Sequence, residues 1–153
     1  MITQPQLDAL VGKSIADICG NGYANPHDNH CAHFVSHVLG YAFGVTCQTM
    51  GTGKALGASL RVQELFPKCQ TAGVWSLRPA SLKACLVFIT KSTNVNLSSK
   101  VMANVPRKHV GIYLNGLIWH YSNSQHKVAR QTPGQFAQHY PPPDNAMFFG
   151  SLP

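Results

Sequence analysis

The stretch HDNHCAHFVSHVLGY, residues 27–41, holds four of the chain's eight histidines and one of its five cysteines. Three readings fit that mixture: a metal site, an activated thiol at the start of a helix, or a helix that is merely rich in histidine. A metal would draw on His27, His30, Cys31, His33 and His37. His33 and His37 stand four apart, the spacing by which one helix face offers two imidazoles to zinc. The metalloprotease form of that pattern needs a Glu directly after the first His, and none follows His33. The expectation is therefore that the site uses no metal and no cofactor. Most of these histidines then stand as polar or partly buried side chains around an active-site mouth.

The thiol reading is more specific. Phe34, Val35, Val38, Leu39 and Ala42 recur at helical spacing, which predicts a helix beginning near Cys31. Cys31 shares that apolar face, so its thiol lies in the first turn, on the inward side. There the helix dipole favours thiolate, the reactive form. Asn29 or Asp28 is placed to cap the helix. The general base must come from elsewhere, because His33 and His37, two and six residues on, point away from the thiol.

His109 is the better base. KHVGIYL (108–114) and LIWHYS (117–122) flank Asn115-Gly116, a strong hairpin signal. With that two-residue turn, Leu114 faces Leu117 and Gly111 faces His120. His109 and His120 then share one face, diagonal to each other. The geometry predicted is Cys31 on a helix, His109 as base on a strand, and His120 as the orienting residue on the next strand.

These elements need a scaffold. Residues 3–18 predict one amphipathic helix, with Leu7, Leu10, Val11, Ile15 and Ile18 on one face and Thr3 with Gln6 as a capping box. TMGTGKALG (49–57) is a Gly-rich loop but no P-loop, since Ala55 follows the Lys. Residues 55–66 read as a helix stopped by Pro67. CLVFIT (85–90) is a short buried strand, and KSTNVNLSSK (91–100) a surface loop. KVARQ (127–131) and AMFFGSL (146–152) are further strands. The fold class predicted is α+β: one domain over 1–153, with N-terminal helices packed on an antiparallel sheet.

Composition bounds the function. The 153 residues carry 12 Lys and Arg against five acids, a net charge of +7, with no Lys or Arg between Lys13 and Lys54. A basic surface suits nucleic acid, anionic lipid or an anionic wall polymer, and charge alone does not choose among them. No apolar run is long enough to span a membrane, and no secretory signal opens the chain. The protein is expected to be cytoplasmic as made, with export, if any, through a specialised secretion system. No RNP1 or zinc-finger pattern is present, which argues against a nucleic-acid partner. The odd cysteine count fits one working thiol plus up to two bridges, with Cys47–Cys69 one candidate pair, or five free buried thiols.

The chain resembles the NlpC/P60 superfamily of papain-like cysteine peptidases over about residues 20–130. CAHFV matches the family's nucleophile motif at Cys31. HVGIYLNGLIWHYS matches its His strand, hairpin and third polar residue, and CLVFIT its apolar strand. The resemblance implies a papain-like fold and a Cys31–His109–His120 site. Tyr23 stands near the family's oxyanion position, and His30 and His33 are oxyanion or substrate-binding candidates. His30 replaces the family's usual Asp and His33 its usual Gly, and the 77 residues between Cys31 and His109 imply an insertion. Small papain-like amidase effectors of type VI secretion are similar in length and in lacking a signal peptide. The implied activity is hydrolysis of a peptidoglycan peptide amide by a monomer, with an immunity or secretion partner and no nucleic-acid or membrane partner. The alternatives are a papain-like acyltransferase or isopeptidase on another amide, and a non-catalytic basic binding module.

Overall fold

The computed structural model describes residues 1–51 and 53–153. Thr52, inside the Gly-rich loop, lies outside the described residues. The chain is α+β. Short helices come first in the chain and the strands follow, with one further short helix before the last strand; the main sheet has six strands and is antiparallel wherever its register is defined. Two compact units divide the chain: Met1–Arg61 with Trp119–Arg130, and Val62–Ile118 with Gln131–Pro153.

In the first unit, α1 (Gln4–Asp8) starts as predicted, with the Thr3–Gln6 capping box in place. It does not run on to residue 18. A second helix, α2 (Ile15–Ile18), begins after a break at Gly12, whose φ of +86° ends helical geometry. The Gly12 N–H donates to the Val128 carbonyl, and the Val128 N–H donates to the Lys13 carbonyl. Pairing with a distant strand thus replaces the helical bonds that the periodicity anticipated. Leu7 and Ile15 reach the core, whereas Val11 is exposed.

Helix α3 (Cys31–Leu39) begins and ends as read, closing on Gly40 at φ +75°. Helix α4 (Cys47–Met50) follows. The helix expected over 55–66 is confined to α5 (Val62–Leu65) and the 3-10 turn Phe66–Lys68. Ahead of it, the Ser59 N–H donates to the Tyr41 carbonyl and the Leu60 N–H to the Val45 carbonyl. Residues 59–60 are therefore held extended against 41–45.

Glycines of the Gly-rich loop permit close packing. A Cβ on Gly51 would overlap the Asn21 carbonyl oxygen, and one on Gly53 would sit 2.6 Å from the Gly20 carbonyl oxygen. Both neighbours are backbone and have little room to yield. Gly51→Ala is expected to destabilise the protein by about 1–3 kcal/mol or more, read as a lower urea midpoint. An unchanged midpoint would contradict this packing.

In the second unit, β1 (Ala72–Val74), β2 (Ala84–Thr90), β5 (His109–Leu114) and β8 (Ala146–Gly150) pair in the order β1-β8-β2-β5. Residues 85–90 are all buried, which explains why this strand reads as an unbroken apolar run. Cys85, Val87 and Ile89 pack with Tyr113, Ile118, Phe136 and Phe149. On the other face Phe88 meets Phe66 edge-on at 5.2 Å. The loop expected over 91–100 contains a small element, β3 (Val95–Asn96), paired with β4 (Val101–Met102).

Strands β6 (Leu117–Ser122) and β7 (Lys127–Gln131) complete the sheet order. Asn115 and Gly116 have φ values of +47° and +95°, the sign pattern of a type I′ hairpin turn. A four-residue helix, α6 (Pro133–Phe136), was not anticipated. No helix among the described residues is long and apolar enough to cross a membrane.

Candidate active site and histidine cluster

Cys31 is the first residue of α3 and is 1% exposed. Its N–H donates to the Asn29 Oδ1 at 2.9 Å, so Asn29 caps the helix from just outside it. Asp28, the other cap candidate, instead accepts from the Tyr23 hydroxyl at 2.5 Å. Burial, with the Asp28 carboxylate beside it, pushes the Tyr23 phenol up to about 12. The Tyr23 hydroxyl, an oxyanion candidate, is therefore engaged in this structure, and so is the Cys31 N–H.

His120 lies in β6, in the same unit as Cys31, and is buried. Next to it on the strand, Tyr121 accepts from the Ile15 N–H through its hydroxyl and meets the His30 ring edge-on at 6.0 Å. The His30 N–H donates to the Asn123 Oδ1 at 2.9 Å, tying the start of α3 to the end of β6.

His109 opens β5 in the second unit and is fully buried. His139 is half-buried and stacks on it, with ring centroids 3.9 Å apart and 12° between planes. Burial lowers the His139 pKa, which favours the neutral ring. The short helix α6 carries the chain to this position, and no periodic or motif signal marks it. His126 is exposed.

The histidines of the opening stretch are not independent. His30 Nε2 lies 2.7 Å from the Asn25 carbonyl oxygen, and His30 Nδ1 lies 3.0 Å from His33 Nδ1. His33 Nε2 lies 3.1 Å from His37 Nε2, and the Cys47 sulfur 3.6 Å from His37 Nε2. Burial, with His37 and His30 beside it, pulls the His33 imidazole down to about 3, so it stays neutral. His27 is exposed and takes no part in this chain.

All five cysteines are buried, and the candidate Cys47–Cys69 bridge is not formed. Cys47 and Cys69 lie in different units. Cys69 donates to the Leu65 carbonyl. Burial pushes the Cys69 and Cys85 thiols up to about 12.

Comparisons with protein-family models, with curated proteins and with solved structures returned no match.

Proposed function

We propose that this chain is a papain-like cysteine amidohydrolase that cleaves a peptide amide of peptidoglycan. The observation that carries the reading is the position of Cys31, a buried thiol in the first residue of a nine-residue helix. The macrodipole of α3 favours the thiolate there, and α3 is the longest helix among the described residues. A histidine opening β5 and another in the hairpin partner β6 supply the remaining residue types of a thiol hydrolase.

In this mechanism the Cys31 thiolate attacks the amide carbonyl, and His109, as imidazolium, protonates the leaving amine. The acyl-enzyme then meets a water that His109 deprotonates, which releases the acid and restores the thiolate. His120 holds the imidazole of His109 in its working tautomer. His139, stacked on His109, restricts the ring's rotation. Asn29 must release the Cys31 N–H if that group is to serve the oxyanion.

The test of the enzyme class is alkylation of the folded chain by iodoacetamide at about pH 6, mapped by peptide mass spectrometry. At that pH, thiols with a pKa of about 12 hold only about one part in a million as thiolate. Cys31 is expected to label at least about tenfold faster than Cys69 and Cys85. Labelling of Cys31 only after denaturation would oppose the reading and favour the binding module.

A further inference from the structure

We propose that Cys19, His33, His37 and Cys47 form a zinc site, a closed tetrahedral centre of two thiolates and two imidazoles lying wholly within the first unit. One ligand atom from each of the four lies within 4.8 Å of every other. This set does not include Cys31, His109 or His120, so it stands apart from the proposed catalytic residues; it gives His33 a ligand role in place of the oxyanion or substrate-binding one.

The separations match a tetrahedron built on zinc. Zinc–nitrogen bonds of about 2.0–2.1 Å and zinc–sulfur bonds of about 2.3 Å put two nitrogens about 3.3 Å apart and a sulfur and a nitrogen about 3.6 Å apart. The His33 and His37 Nε2 atoms are 3.1 Å apart, and the Cys47 sulfur is 3.6 Å from His37 Nε2. Cys19, His33 and Cys47 are buried and His37 is half-buried, as a closed structural site requires.

The surroundings present the right atoms. A backbone carbonyl only accepts, so the His30 Nε2 facing Asn25 carries the proton. In that tautomer the His30 Nδ1 is bare and accepts from His33 Nδ1–H. Neutral His33 is left with a bare Nε2 lone pair, the one aimed at the cluster. This carbonyl–His–His relay fixes a ligand's tautomer in the way an outer shell does.

Each sulfur is also placed as a thiolate acceptor. The Cys47 sulfur accepts from the Asn21 Nδ2 and from the Ala58 N–H, both at 3.3 Å. The Cys19 sulfur accepts from the backbone N–H groups of Asn21 and Tyr23. Gly22 at φ +71° allows the chain 19–23 to curl around the sulfur in this way. Binding releases one proton from each thiol, so two thiolates neutralise one Zn²⁺ and the buried centre carries no net charge. Thiolate and imidazole donors suit zinc and disfavour magnesium or calcium, which take oxygen ligands.

Protein isolated without chelators from zinc-supplemented cells is expected to carry about one zinc per chain by elemental mass spectrometry. Cys47→Ser and His37→Ala should each lower that ratio at least about tenfold, whereas Cys31→Ala should leave it unchanged. Because a substitution at buried Cys47 can prevent folding, Co²⁺ titration of the zinc-stripped wild-type chain provides an independent readout. Intense visible d–d bands with a sulfur-to-cobalt charge-transfer band, saturating near one equivalent, are expected. Absence of both zinc and the cobalt bands would overturn the proposal. So would loss of zinc in Cys31→Ala, or an intact mass two hydrogens lower from a Cys19–Cys47 disulfide.

Discussion

Cys31→Ala should abolish amide cleavage while leaving the protein folded. Where a nucleophile and its base work as a unit, removing either costs about 10⁴- to 10⁶-fold in turnover. His109→Ala should fall in the same range, and the double variant should be no worse than either single one. His120→Ala should cost less, about 10²- to 10⁴-fold, because an orienting residue acts through the base. The structural consequence of Cys31→Ala is small. One sulfur leaves a buried site and the helix cap survives, because Asn29 bonds the backbone N–H and not the thiol. A steady-state assay of the four variants, paired with thermal melts, separates the two effects. Additive losses in the double variant would mean that Cys31 and His109 do not act on one reaction.

The largest expected loss of stability comes from Trp119→Ala. Trp119 is fully buried in the first unit, and its indole N–H donates to the Asp8 Oδ1 at 3.1 Å. The same carboxylate oxygen pairs with Arg130 at 3.0 Å. Truncating such a side chain costs about 3–5 kcal/mol through lost burial and the cavity left behind. In a chain of this size that corresponds to a fall in melting temperature of about 6–20 °C. Trp119→Phe keeps most of the apolar contact and leaves Asp8 its Arg130 partner, so it should cost clearly less. Calorimetry of both variants checks this, and equal losses would mean that the hydrogen bond to Asp8, rather than packing, dominates.

What could be read from the sequence follows how local its causes are. The β5–β6 hairpin was legible because Asn115 and Gly116 supply the two positive φ angles themselves. Strand β2 was legible because burial on both faces leaves an unbroken apolar run. Helix α3 was legible because its apolar stripe and Gly40 stop lie within ten residues. The helix predicted over 3–18 failed because Gly12 and Lys13 bond to Val128, far along the chain. The helix over 55–66 failed for the same kind of reason, since residues 59–60 pair with 41–45.

The site divides along the same line. Cys31, His109 and His120 were singled out from local patterns, each on the element predicted for it. The cluster around His33 was not. His33 and His37 were visible as a pair at helical spacing, but Cys19 and Cys47 reach them from separate elements. The one local hint was CGNGY, a cysteine followed by glycines that let the backbone curl toward its sulfur. His139 had no such hint, because only the fold stacks it on His109.

The central claim is tested most directly by digesting purified peptidoglycan with the wild-type chain and with Cys31→Ala, and reading the products by mass spectrometry. New muropeptide fragments from the wild type alone, with masses that locate one cleaved peptide amide, are the predicted result. Identical digests from both proteins, at enzyme levels where Cys31 is confirmed to alkylate at mildly acid pH, would contradict peptidoglycan as the substrate.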